Sequence, residues 1–409
     1  MTRRLLLSGI LTLLMWTSHG ASAQTEFEQV WAQGGSVRIA HTNTGITGFD
    51  VSNMRDGLRW DLAPGQSFLF GSGVWFGGQI NVEGQLSKRT FVTYDLMTGQ
   101  SWSNPTSTIT EESFGDMSVY TSTFDDADLS KYPRGAAAAL ADSMPLGISF
   151  RQTLTIHPLQ DVADLIIVRT VARNVHPWRT IEMAAMGNVV DPEIVSPTEG
   201  SAKLNDISEL LGDEEMQVIK VHSADDPQGA CLYSILDPRE AKLSVMRAFA
   251  IANDPFEHAE RYNVMTSPTI SASVGPTDVR FVLTGRSRDL APGDSIAQSI
   301  IFLVSRTGTS QRDAEVIDLF KRYTRTTSVD EDHPAAPMVF PNPTNGAAEV
   351  AFVGGSDFTS VELVDMTGSV VSRMQSYRLL PIRDLSPGVY SVRFRSAAGT
   401  VTSMLAITR

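Results

Sequence analysis

Between residues 24 and 328 the apolar residues fall in short runs broken by Gly, Pro, Asn and Asp. A period of two outweighs the roughly 3.6 period of a helix, so the run of elements reads as strands with one face on a core. Residues 36–40 alternate and stop at Asn43-Thr44-Gly45. Residues 67–70 end at Gly71-Ser72-Gly73, and Val74-Trp75-Phe76 ends at Gly77-Gly78, so these glycines read as tight turns. Over 148–156, Ile148, Phe150, Gln152, Leu154 and Ile156 share one face, and residues 164–175 alternate in the same way. A link containing Pro158 joins the two, which predicts an antiparallel hairpin. Ala291-Pro292-Gly293-Asp294 predicts a turn feeding a strand over 295–305.

One segment departs from this pattern. Val316, Ile317, Phe320 and Tyr323 form a helical stripe, and Ser310 with Asp313 resembles a capping box. Lys321, Arg322 and Arg325 suit the C-terminal end of that helix. A second, short helix is read at 136–141.

Residues 326–337 are polar and acidic, then carry Pro334-Ala335-Ala336-Pro337, and read as an extended linker. After it, residues 338–409 hold six or seven short strands joined by hairpin turns. The fold class expected is therefore all-β. It comprises a large antiparallel β-sandwich body over 24–325 with one short helix near its end, and a small C-terminal Ig-like β-sandwich. A division of the body near Pro145 into two subdomains is left open.

Composition and charge narrow the function classes. Of 409 residues, 42% are hydrophobic and 19% charged, which suits packed cores rather than a disordered chain. The first residues resemble a secretory signal peptide: Arg3 and Arg4, an apolar stretch over 5–16, and Ala21-Ser22-Ala23 before a cut between Ala23 and Gln24. No cysteine sits at the cut, so a lipoprotein is not expected. Without residues 1–23 there remain 31 basic residues against 46 acidic, a net charge near −15. That charge argues against nucleic acid and anionic lipid as partners. No later stretch approaches the roughly 18 uninterrupted apolar residues of a transmembrane helix. The single cysteine, Cys231, lies in an apolar run and reads as a buried structural thiol.

The C-terminal segment carries an ordered set of motifs. It opens with Pro341-Asn342-Pro343 and Gly346 in VFPNPTNG, continues through VELVDMTGSVV with Asp365 and Gly368, and turns at DLSPGVYSVRF with Leu385, Gly388 and Tyr390. It closes on SMLAITR, ending in Arg409. In this order the motifs resemble the type A C-terminal sorting domain of the type IX (Por) secretion system. The resemblance implies export by Sec, then by the type IX machinery, to the surface or exterior of a Bacteroidetes-like Gram-negative bacterium. It further implies removal of this domain on arrival, with the body either attached to surface lipopolysaccharide or released.

Known catalytic motifs are missing from the body. The histidines His41, His157, His176, His222, His258 and His333 are scattered, with no HExxH, and neither GxSxG nor a P-loop occurs. The carboxylate runs Glu111-Glu112, Asp125-Asp126 with Asp128, Asp213-Glu214-Glu215 and Asp225-Asp226 read as solvated loops. A hydrolase would need a close carboxylate pair among them. The sharper candidate is Asp191-Pro192-Glu193 with Asn205-Asp206, because calcium takes roughly six to eight oxygens from loops dense in Asp and Asn. Elements such as GSGVWFGG, NDPFEHAERYNVMTS and LAPGDSIAQSIIF resemble other type IX surface proteins, whose corresponding acidic loop looks suited to a metal ion. Trp60, Trp75, Trp102 and Trp178 are candidates for a sugar-stacking platform. The expected role is non-catalytic, structural or adhesive. Two alternatives stand beside it: a carbohydrate-binding module, calcium-stabilised in one version, and a surface hydrolase with a carboxylate pair.

Overall fold

A computed structural model describes residues 25–60, 66–82, 84–94, 103–114, 117–126, 145–157, 165–195, 205–255 and 257–325. In the C-terminal segment it describes 338–340, 344–345, 349–353, 360–365, 369–374, 379–383, 385–396 and 399–408. The signal residues Ala23 and Gln24, the helix read at 136–141, the linker 326–337 and Asp128, His333 and Trp102 lie outside the described residues. The chain divides into two compact units at Thr324/Arg325.

The first unit is a sandwich of two ten-stranded sheets. One sheet runs Gln29–Gly34, Val37–Thr42, Leu58–Trp60, Ser67–Val82, Ile181–Val195, Val279–Gly285, Leu243–Ala250 and Thr269–Ser271. Gln85–Val92 and Arg288–Leu290 pair onto it off this path. The other runs Val274–Thr277, Asp206–Gly212, Gln217–Ser223, Cys231–Leu236, Ser295–Ser305, Leu165–Asn174, Ile148–His157, Met117–Asp125 and Asn104–Pro105, with Thr110–Phe114 on its flank. Strands from before and after Pro145 mix in both sheets; Met117–Asp125, for example, pairs with Ile148–His157. No division falls near Pro145, because cutting there would cut both sheets.

The predicted hairpin is present. Ile148–His157 pairs antiparallel with Leu165–Asn174 in the register Ile148 with Asn174. Its face of Ile148, Phe150, Gln152, Leu154 and Ile156 is buried between the sheets. The turn at Ala291–Asp294 also forms, with Gly293 at φ +88° and the Asp294 N–H donating to the Ala291 carbonyl at 3.0 Å. It leads into Ser295–Ser305, as the pattern predicts.

Between the sheets lies an aromatic stack. Phe150 stacks with Phe91 and with Phe124, centroids 5.0 Å apart in each case, and meets the edge of Phe76 at 5.8 Å. All four rings are buried. Phe150→Ala opens a cavity against three rings and is expected to cost about 3–5 kcal/mol. Urea unfolding reads this as a lower midpoint at an unchanged slope; a loss below about 1 kcal/mol would contradict the packing described.

The glycines of GSGVWFGG do not make turns. Ser67–Val82 is one continuous strand that runs straight through them. Their smallness serves close approach instead: a Cβ on Gly77 would stand 2.8 Å from Met265 Cε and 2.9 Å from Tyr262 Cδ2. Both contacts come from His258–Thr266, a helix that the apolar pattern does not predict. Its buried residues are Arg261, Tyr262 and Met265, too mixed for an apolar stripe. A local signal exists, since the Glu257 N–H donates to the Glu260 carboxylate at 3.2 Å in a capping box built on two glutamates.

The expected helix is found at Ser310–Arg325. It starts one residue earlier than the pattern suggests. Thr309, not Ser310, is the cap: its hydroxyl accepts from the Arg312 N–H at 3.3 Å and its carbonyl from the Asp313 N–H at 2.9 Å. Val316, Leu319 and Phe320 cover the outer face of the second sheet over Tyr233, Ile235, Ile301 and Leu303. Cys231 lies in the same cluster; burial pushes its thiol up to about 11, so it stays protonated and inert.

The second unit contains a three-stranded and a five-stranded sheet. The latter orders Thr344–Asn345, Gly399–Thr408, Gly388–Ser396, Ser360–Val364 and Val370–Met374. All its pairings are antiparallel except Thr344–Asn345 with Gly399–Thr408. Val361, Leu363, Tyr390, Val392, Phe394, Leu405 and Ile407 form its core. No helix among the described residues is long and apolar enough to cross a membrane.

Candidate functional site

Strand ends from both sheets of the body converge on one acidic cavity. The strand Ile181–Val195 loses register with Ser67–Val82 at Asp191/Pro192 and again before Val195. Pro192 has no N–H to give the ladder, and such irregularities re-aim side chains near a strand end. Asp191, Pro192 and Glu193 thereby line a cavity of about 50 Å³ together with Phe70. From the other sheet comes Asp206, the first residue of Asp206–Gly212. Asp278 and Arg280 complete the lining.

Arg280 organises the charges. Its Nε lies 3.3 Å from Asp191 Oδ1 and 3.8 Å from Asp278 Oδ1, and its Nη1 donates to Asp254 Oδ2. The Tyr94 hydroxyl donates to Asp191 Oδ2 at 3.3 Å. Burial pushes the Asp191 carboxyl up to about 7 and outweighs the opposing pull of Arg280; Asp278, Glu193 and Asp254 add to the rise. Burial and then the charge of Glu193 push Asp206 up to about 8, against a hydrogen bond from the Ile194 N–H. Asp206 is 2% exposed, and its Oδ1 has no hydrogen-bond partner. Among the described residues no three Asp, Glu, His or Cys side chains stand as a ready-made metal cage.

Of the four calcium candidates, the structure brings Asp191, Glu193 and Asp206 together and leaves Asn205 out. The Asn205 amide donates to Ser223 Oγ at 2.9 Å and to Asp225 Oδ2 at 2.7 Å, on the neighbouring hairpin. Sequence reasoning missed Asp254, Asp278 and Arg280. The available signal was Arg280 itself, a lone cation in the otherwise apolar run VRFVL, where a buried charge needs acidic partners.

The other candidates disperse. Asp126 is buried and accepts from the Gly147 and Ile148 N–H groups at 3.0 Å each, holding a chain corner. Glu111, Glu112, Asp225 and Asp226 are solvent-facing, and Asp213 pairs with Lys321. Among the described residues the tryptophans build no platform. Trp75 is buried, Trp60 packs against Phe68 with Arg306 over its ring, and Trp178 stands alone at a turn, 79% exposed beside His176.

A wider recess of about 730 Å³ lies where Leu243–Ala250 meets the helix His258–Thr266. Arg247, Phe249, Asn253, Asp254 and Glu260 are among its walls.

In the C-terminal unit the motif residues Asp365, Leu385, Gly388 and Tyr390 are described, while Pro341, Asn342, Pro343, Gly346, Gly368 and Arg409 lie outside the described residues. The Tyr390 hydroxyl donates to the Ser386 carbonyl at 2.7 Å, and Leu385 packs on the core, so this motif pins the turn to the sheet. Asp365 closes the preceding hairpin, accepting from the Ser369 N–H at 2.9 Å. On Ser360–Val364, Arg373 and Arg395 both bind the buried Glu362. Burial alone would raise that carboxyl, but the two arginines outweigh it and hold it below the usual range. Residues 338–408 match the family described as the secretion system C-terminal sorting domain.

The chain carries a type IX sorting domain.

That domain directs the chain to the cell surface or the extracellular space through the type IX machinery. No curated protein matches the chain. Among solved structures it is similar to the Slr1438 protein from Synechocystis sp. PCC 6803, at 8% identity over 69% of this chain and 97% of that one, with a TM-score of 0.38. It is also similar to the GalM/aldose epimerase homologue from C. elegans, at 8% identity over 69% and 99% respectively, with a TM-score of 0.35. Likenesses of that size carry no conclusion about this chain, and nothing found for the body supports its resemblance to other type IX surface proteins.

Proposed function

We propose that the exported body is a non-catalytic surface protein with a structural or adhesive role. The observation that supports this is the size of the acidic cavity. About 50 Å³ holds one or two waters, whereas small-molecule sites span roughly 300–1,000 Å³. The carboxyls with raised pKa therefore sit where no sugar ring or acyl group reaches them, and Arg280 ties Asp191 into an ion-pair network. Attachment to surface lipopolysaccharide, or release, follows export in this reading.

A second reading is a carbohydrate-binding module. The recess of about 730 Å³ supports it, since its size suits a ligand and Arg247, Asn253 and Glu260 offer donors and acceptors.

The two readings share a test against catalysis. A strain lacking the protein should adhere less to surfaces or to sister cells, and both the wild-type chain and Asp206→Asn should restore adhesion. A glycan array reporting ligands lost in Arg247→Ala would favour the second reading. Turnover of a chromogenic glycoside or ester by the secreted protein, abolished by Asp206→Asn, would overturn both.

A further inference from the structure

The sorting domain differs in charge from the rest of the chain. Residues 24–337 carry 25 basic and 41 acidic residues, a net charge of −16, whereas residues 338–409 carry 6 and 5, a net charge of +1. Its five-stranded sheet is more basic still. The only charged residues in those five strands are Arg373, Arg393, Arg395 and Glu362. All four belong to one face. Glu362 stands opposite Arg373 in one ladder and opposite Arg393 in the other, and Arg395 follows Arg393 by two positions. Residues so placed point to the same side of a sheet. The other side carries Val361, Leu363, Val392 and Phe394 and is the core. Arg373 takes one oxygen of Glu362 and Arg395 the other, yet their side chains stay 65% and 51% exposed. No second acid occurs in the five strands to meet Arg393. Val389, 42% exposed, alternates onto the same face, and Val371, 39% exposed, lies two residues before Arg373.

We propose that this basic face is where the sorting domain docks on an acidic protein surface of the type IX machinery. Surplus guanidiniums call for carboxylates or phosphates. The exposed valines favour a protein over the phosphates of lipopolysaccharide, since a charged sugar headgroup offers nothing apolar to cover them. Protein interfaces, by contrast, join arginine to apolar area and avoid lysine, and every cation in 338–409 is an arginine. The acidic body does not compete for such a partner, so the field of this face orients the chain with its sorting domain foremost. The inference adds to the sorting role the place where the machinery takes hold, and it is independent of what the body does.

The test uses the full chain in its own cells, with substitutions at Thr402. This exposed residue stands opposite Arg393 in the ladder with Gly399–Thr408. Thr402→Glu adds a carboxylate to the face and removes no arginine, and a cross-strand pair of opposite charge does not weaken a sheet. Surface and extracellular protein should fall by about tenfold or more, with the chain held in the periplasm. Thr402→Gln, matched in size and neutral, should be displayed like the wild type. Both purified chains should melt within about 2 °C of the wild type. Should Thr402→Glu fail to fold, Arg373→Gln combined with Arg393→Gln serves in its place, because Glu362 keeps Arg395. Deletion of residues 339–409 in the same cells separates failure of this face from failure of the sorting role. Wild-type display of the folded charge variant, or an equal loss in Thr402→Gln, would overturn the proposal. So would normal export of the charge variant followed by shedding into the medium, which would assign the face to lipopolysaccharide instead.

Discussion

Cells producing the chain without residues 339–409 are expected to hold the body in the periplasm, with nearly all surface and extracellular protein lost. The match of residues 338–408 to a sorting domain makes this the largest single effect available. A point variant reaches the same end by physical means. Tyr390 is buried in the core of the second unit, on its five-stranded sheet, and its hydroxyl holds the Ser386 carbonyl. Tyr390→Ala loses a buried ring, a loss of about 3 kcal/mol or more by analogy with other aromatic truncations, from a domain whose small core supplies only about 3–5 kcal/mol. The sorting unit should therefore unfold and surface display should fall nearly as far as in the deletion. Protease shaving of intact cells, compared with periplasmic extracts, reads both. Normal surface display of the deleted chain would remove the assignment of the export route.

Arg280→Met is expected to destabilise the body by about 3–5 kcal/mol, the usual result of removing one partner from a buried ion-pair network. The guanidinium is shared by Asp191, Asp254 and Asp278, so its loss takes a common cation from all three at once. Adding Asp254→Asn to the same chain should recover part of the loss, because the two sites are in direct contact and couple. Denaturant unfolding of the single and double variants measures this. A cost for Arg280→Met below about 1 kcal/mol would mean that the network is solvated and not structural.

Much of this architecture is legible in the order of residues. The hairpin from Ile148 to Asn174 is, because a strand with one face on a core writes its own alternation. The helix Ser310–Arg325 is, because Val316 and Phe320 mark its stripe on a sheet. The glycines at 71–78 are not legible: their purpose is room for Tyr94, Tyr262 and Met265, and the last two lie far along the chain. The helix His258–Thr266 is hidden for the matching reason, since it docks on that glycine gap with a tyrosine and a methionine in place of an apolar stripe. At the acidic cavity, Asp191, Glu193 and Asp206 could be chosen as oxygen donors by type. Spacing could not reveal that Asn205 turns to its own hairpin while Asp278 and Arg280 arrive from a later strand.

The mixing of early and late strands in both sheets sets a clock on the body. Ser67–Val82 waits for Ile181–Val195, and Leu165–Asn174 waits for Ser295–Ser305, where Leu165 meets Leu303. Pairings that close such long loops make folding slow, on a scale of roughly milliseconds to seconds or longer. One sheet cannot complete until the chain as far as residue 290 has emerged from the ribosome and the inner membrane, and the other not until residue 305 has. Through that interval the early strands keep open edges able to pair with other chains. The body is thus a late-folding cargo, exposed to mispairing until its last strands arrive.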